Sequence, residues 1–146
     1  MKRIIIMLIT FICVMAIVRY FNKRDTTRKD KMLENNIYFK GKVVNIKTST
    51  NHSFGIILIS LDSTNTKEFN QPQKPNTFPY KIKNGQAELY TAVPDGISAG
   101  DIVIVNSNLQ KEFYYYIKSK QSFEGALQMV GEGIDEDYIN ENSSLR

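Results

Sequence analysis

From Tyr38 onward the chain loses any helical period and becomes a series of short β-branched and aromatic runs parted by turn residues, which restricts the body of the protein to sheet. Residues 38–47 (YFKGKVVNIK) read as a first strand with a bulge at Gly41, and residues 54–61 (FGIILISL), apolar at almost every position, as a central one. A polar turn, residues 48–53, joins them. Residues 62–76 form a long connection carrying Pro72 and Pro75, with a short edge strand placed around Phe69. Residues 78–83 and 86–93 flank Asn84-Gly85, the pair best suited to a type I′ hairpin because both central positions need positive φ. Pro94-Asp95-Gly96 turns the chain again, residues 102–105 (IVIV) follow, and residues 111–118 (KEFYYYIK) complete the series.

Strands this short and closely spaced predict a mainly β domain over residues 37–120, an antiparallel β-barrel of OB-like or SH3-like kind, with a small β-sandwich as the alternative. Within the final segment, residues 121–146, the stretch 122–130 (SFEGALQMV) reads as a two-turn helix capped by Ser122 and stopped by Gly131 and Gly133. The acidic end beyond it is expected to be disordered.

Ahead of the sheet lies an unbroken apolar run, residues 4–18 (IIIMLITFICVMAIV), preceded by Lys2 and Arg3 and closed by Arg19. Charge, apolar stretch and charged stop are the pattern of a signal anchor, and residues 1–21 are read as a transmembrane helix. Fifteen residues at about 1.5 Å each cover about 22 Å of a hydrocarbon core about 30 Å thick, so the span requires Arg19 to bend toward phosphates and Tyr20 and Phe21 to extend the helix. This reading makes the lipid bilayer the partner of residues 4–21 and places the β domain on the periplasmic or exterior face of a single-pass protein. Cleavage near 14–16 is the weaker alternative. Lipid attachment to Cys13 is weaker still, because Thr10-Phe11-Ile12 lacks the small residue such attachment needs. Residues 22–36 (NKRDTTRKDKMLENN) hold too few apolar side chains for a core and read as a charged juxtamembrane linker.

The formal charge of +4 is unevenly placed and does not point to a polyanion. Residues 1–36 carry eight Lys/Arg against three Asp/Glu, and residues 121–146 carry Arg146 against six acids. Cys13 is the only cysteine, which removes a disulfide framework or a cysteine metal site from the β domain.

The MKRIII start, the charged spacer, G-K-V-V-x-I at 41–46 and G-D-I-V-x-V-N at 100–106 ahead of an aromatic strand together resemble the layout of small single-span envelope proteins of Bacteroidetes-type bacteria. The resemblance covers residues 1–118 and implies an envelope location. It brings no catalytic residues with it.

The chemistry-bearing residues form no catalytic set, and no cofactor is expected. His52 is the only histidine and sits in a polar turn with no cysteine to share a metal, so neither a zinc site nor a Ser-His-Asp relay can be assembled on it. The stretch from Asp62 starts like a calcium loop but lacks the glycine at the sixth place and the glutamate at the twelfth. The aromatic strand is the best candidate for a binding surface. Alternation separates Phe113 and Tyr115 from Tyr114 and Tyr116, and the second pair, with Tyr38, Lys40 and Lys42 on one face of the first strand, is taken as the binding set. The expected function is a non-enzymatic binding or scaffolding module of the envelope, engaging a protein or glycan. The alternative is an OB-type domain tethered at the cytoplasmic membrane face and holding single-stranded nucleic acid in a groove lined by Lys40, Lys42, Lys47, Lys81, Lys83, Lys111 and Lys118, and nucleic acid is the less favoured partner.

Overall fold

The structure is a computed structural model that describes residues 2–71 and 76–145, with side chains described for residue 7 and from residue 10 onward. Pro72 and Pro75 of the long connection lie outside the described residues, as does Arg146. The chain divides into two units, residues 1–32 and residues 33–146.

The first unit is helical. Helix α1 runs Lys2–Leu33 without interruption, through the apolar run and on through the charged stretch expected to be a linker. An Asp25–Lys29 ion pair at 2.8 Å, four residues apart, supports its second half. The Thr26 and Thr27 hydroxyls donate back to the carbonyls of Asn22 and Lys23. This geometry overturns the transmembrane reading: among the described residues, no helix is long and apolar enough to cross a membrane. The apolar run is interrupted at Arg19, and within two turns the same helix carries Lys23, Arg24 and Asp25, so lengthening it adds charge rather than hydrocarbon-compatible surface. The signal-anchor assignment and the single-pass localisation are corrected accordingly.

The second unit is built on seven antiparallel strands: β1 Tyr38–Thr48, β2 Phe54–Thr64, β3 Tyr80–Lys83, β4 Gln86–Ala92, β5 Ile102–Asn106, β6 Lys111–Tyr116 and β7 Gln121–Ala126. Their order across the sheet is β3-β4-β2-β1-β5-β6-β7. The expected closed barrel does not form. β3 and β7 remain edges, and among the described residues the segments beyond them meet at an isolated Thr77–Val130 bridge rather than in a ladder. Closure requires a continuous ladder between first and last strands, and β3, four residues long, offers too little of one. The sheet does curl, because its inner face is lined by large side chains that can be dehydrated only against one another. Phe39, Ile57, Ile59, Ile82, Leu89, Val103, Val105 and Tyr114 form this core, joined by Leu33.

Local sequence accounts for most of the strand joints. Asn84 and Gly85 adopt φ of 54° and 74°, the two positive values that a tight β3–β4 hairpin requires. The β1–β2 ladder shifts register between Lys40 and Gly41, where the bulge is expected, and a Cβ on Gly41 would lie 2.1 Å from the Ser60 carbonyl oxygen. Phe69 pairs with Ile82 through an isolated bridge and covers part of the β3 edge.

The last segment differs from its expectation. The glycine- and serine-containing stretch read as a helix instead supplies β7, paired along its length with β6. A second helix, α2 Ile134–Asn142, forms in the acidic tail expected to be disordered. Asp135, Glu136 and Asp137 occupy its first turn, where carboxylates are favoured by the helix dipole. Its apolar side packs Ile139 against Phe54, Ile56 and Tyr90 on the opposite face of the sheet from the core.

Candidate functional site

Strict alternation along β4 and β6 sets up two buried glutamates on opposite faces of one sheet. On β4, Ala87, Leu89 and Thr91 point inward, while Glu88 and Tyr90 point toward α2. On β6, Glu112 and Tyr114 point inward opposite Val105 and Val103.

Glu88 is fully buried and fully employed. Its Oε2 accepts from the Tyr90 hydroxyl at 2.9 Å and the Ser143 hydroxyl at 2.6 Å, and its Oε1 accepts from the Ser144 backbone N–H at 2.6 Å. Beside it, Lys47 Nζ donates to the Asn142 carbonyl at 2.6 Å and to Ser144 Oγ at 3.0 Å. Together these bonds fasten the C-terminal residues onto the sheet and leave Leu145 buried. Burial, then the Glu88 charge, raises the Tyr90 phenol above its ordinary value.

Glu112 is only 3% exposed, and its bonding is incomplete. Thr91 Oγ1 donates to Oε1 at 2.9 Å, a contact between β4 and β6 that exists because the sheet curls across the three intervening strands. Oε2 has no hydrogen-bond partner among the described residues, and the Tyr114 hydroxyl, 1% exposed as a residue, has none either. Burial pushes the Glu112 carboxyl from 4.5 up to about 7, with the neighbouring Thr91 and Tyr114 hydroxyls offsetting part of the rise. Burial, then Glu112, raises Tyr114 as well. Across the ladder, Glu112 faces Gly125 on β7, and a Cβ there would fall 2.6 Å from Oε1. The carboxyl therefore occupies space that only glycine leaves free.

Glu112 and Gly125 line a cavity of about 410 Å³ at the ends of β4, β6 and β7. Phe54, Phe123 and Met129 supply apolar walls, and Asp135 at the start of α2 is its other acid, with Oδ1 accepting from Asn51 Nδ2 at 2.9 Å. Among the described residues, no lysine or arginine lines it. The size is that of a small-molecule site, and an apolar wall with one or two placed polar groups is the usual composition of such sites.

The residues chosen from sequence lie elsewhere. Tyr38, Lys40 and Lys42 do share the outer face of β1, where they continue into Ile102 and Ile104 of β5 and Phe113 and Tyr115 of β6. The structure does not bring Tyr114 and Tyr116 to that face: Tyr114 is in the core, and Tyr116, half-buried, donates its hydroxyl to the Asp95 carbonyl at 3.2 Å. Of the opposite-parity pair on the outer face, Tyr115 is 39% exposed and Phe113 half-buried. Of the lysines proposed for a nucleic-acid groove, Lys81 and Lys83 are on β3, three strands from Lys40 and Lys42. Lys47 holds the C-terminal residues, and Lys111 is paired with Glu124. His52 is exposed, in a turn with φ of 46°.

Glu112, Thr91 and Gly125 were not selected from sequence. One signal was present, since Glu112 shares parity with Tyr114 in KEFYYY and so had to be buried wherever Tyr114 was. Thr91 and Gly125 carried no such mark, because their meeting with Glu112 depends on strand order and curl. Compared with protein-family models, curated proteins and solved structures, the chain matches none, and nothing found bears on the envelope-protein resemblance.

Proposed function

We propose that this protein is a non-enzymatic binding module whose ligand occupies the cavity beside Glu112. The observation that carries this reading is the cavity itself, about 410 Å³ in volume and lined by Glu112 and Asp135 together with Phe54, Phe123 and Met129. A catalytic reading has less to stand on: the lone histidine is in an exposed turn and is not among the residues lining the cavity, and the Thr91 hydroxyl donates to the Glu112 carboxyl.

The outer face supports a second reading, a protein or glycan partner resting on Tyr115, Phe113, Ile102 and Ile104 with Tyr38, Lys40 and Lys42 at its side. A shallow depression of about 330 Å³ among these apolar residues favours it. Screening the full chain against a small-molecule fragment collection by amide chemical-shift mapping separates the two. Saturable shifts concentrated at Thr91, Glu112 and Gly125 are expected. Hits confined to Ile104, Phe113 and Tyr115 would replace the cavity with the outer face.

A further inference from the structure

The two edges of the sheet are finished differently. β3 is four residues long, and Phe69 bridges to Ile82 and covers part of it. β7 is six residues long, its ladder with β6 runs without a register shift, and among the described residues no strand lies beyond it. Exposed edges are ordinarily blunted by proline, by lysine or by a bulge. QSFEGA has none of these, and its one charge, Glu124, is engaged by Lys111 on β6.

We propose that β7 takes an extended segment of a partner protein as an eighth strand, with one side chain of that segment entering the cavity beside Glu112, a proposal that rests on that cavity being the binding site. The backbone of β7 sets the class of ligand. Leu127 N–H donates to the Gln110 carbonyl on the line of β6, so by alternation the N–H and C=O groups of Gln121, Phe123 and Gly125 face β6, while those of Ser122, Glu124 and Ala126 face out. A row of donors and acceptors at that two-residue repeat is matched by another extended backbone, and pockets beside the edge then select among side chains. Two such pockets border the inner side of β7 and meet at the exposed Phe123. One is the cavity beside Glu112, and the other, about 440 Å³ in volume, is lined by Asp95, Tyr116, Lys118 and Gln121. Side chains on one face of a strand are about 6.7 Å apart, so residues opposite Gly125 and Gln121, on either side of the one opposite Phe123, reach the two cavities. Phe54, Phe123 and Met129 suit a bulky apolar side chain opposite Gly125, and the second lining suits a polar one opposite Gln121. A second copy of β7 fits less well. Centred on Glu124, it sets two carboxylates opposite each other; centred on Phe123, it sends a glutamine to the apolar cavity and a glycine to the other.

The full chain is panned against a phage-displayed library of random dodecapeptides, and the selected peptide is synthesised and titrated while the backbone amides are followed. Saturable shifts are expected at Ser122, Glu124 and Ala126, with Thr91 and Glu112 moving as the cavity fills. N-methylating the peptide at alternate residues should lower its affinity about ten-fold in one parity and less than about two-fold in the other, because only every second N–H of an added strand meets β7. Ala126→Pro, which removes an outward donor and no bond to β6, should weaken the peptide by a similar factor while melting cooperatively. Equal sensitivity in both parities, shifts confined to other strands, or no enriched peptide overturns strand addition. Shifts at the same three amides on concentrating the chain alone assign the edge to a second copy and overturn it as well. Fragment hits at Thr91, Glu112 and Gly125 without peptide binding leave the cavity reading standing while strand addition falls. If peptides and fragments both leave these amides unmoved, both readings fall. The N-methyl comparison is made on the unsubstituted protein, so the result does not depend on any variant folding.

Discussion

Glu88 and Glu112 are buried in the same sheet, yet the two sides of that sheet treat a carboxyl in opposite ways. On the α2 side, Glu88 has three donors on its two oxygens and ties the C-terminal residues to β4. On the inner side, Glu112 has one donor on one oxygen, an unpartnered tyrosine hydroxyl nearby in the same strand, and a cavity beside it. Burial alone therefore does not mark a functional acid. What separates the two carboxyls is whether the protein completes their hydrogen bonds, since an incomplete set costs stability.

The limiting case of this contrast is a buried carboxylate with no donors at all. Ile57, central in β2 and fully buried, provides the place: Ile57→Asp should cost more than about 4 kcal/mol and abolish the cooperative thermal transition seen by circular dichroism. A variant melting like the parent would refute the placement of β2 at the centre of the core. The next largest effect is expected at the satisfied acid. Glu88→Ala strands the Tyr90 and Ser143 hydroxyls and the Ser144 N–H, costing about 2–4 kcal/mol, and frees residues 143–145 to exchange their amide protons faster. Unchanged protection at Ser144 would remove the C-terminal fastening.

At Glu112 the expectation concerns pH. A carboxyl whose folded-state pKa lies above its unfolded value holds its proton more tightly when folded, so its stabilisation is complete below about 4.5 and is lost as pH rises through about 7. That group alone lowers stability by about 3 kcal/mol across the interval. Tyr114 is neutral throughout, and Asp135 is the other acid at the cavity. Denaturant titrations at pH 4.5 and 7.5 should show the loss, and Glu112→Gln should flatten it; a slope unchanged in that variant would place the linkage on another group. The smallest effect belongs to Gly125→Ala, about 1–2 kcal/mol from displacing the Glu112 carboxyl, and nearly nothing when combined with Glu112→Ala. Additive costs in that double variant would mean that the two residues do not meet.

Much of the sheet was legible locally. The β1–β2 ladder with its bulge at Gly41, the Asn84-Gly85 hairpin and the paired aromatic strand all follow from period-two patterning and turn chemistry, which act over a few residues. The misreadings have a common cause in longer-range forces. SFEGALQMV has helix formers enough to suggest a helix, but β6 offers an unpaired edge and a glutamate that only a glycine can face, so the segment becomes β7. The acidic tail orders because its carboxylates fall at a helix start and its serines find Glu88. In α1 the apolar run was read as a span, and the charges that end it at Arg19 and resume at Lys23 leave the helix short of one.

By itself, the amino-acid sequence determined that the body of this protein is antiparallel sheet, where its tight turns fall, and that Glu112 and Tyr114 share a face, because backbone sterics and side-chain alternation are properties of neighbouring residues. Only the tertiary structure decided which face is inside, that the curled sheet stays open, and that Thr91 and Gly125, from β4 and β7, close around one carboxyl. Those outcomes depend on how seven strands are ordered and how far the sheet must bend to dehydrate its large side chains, and no local stretch encodes that.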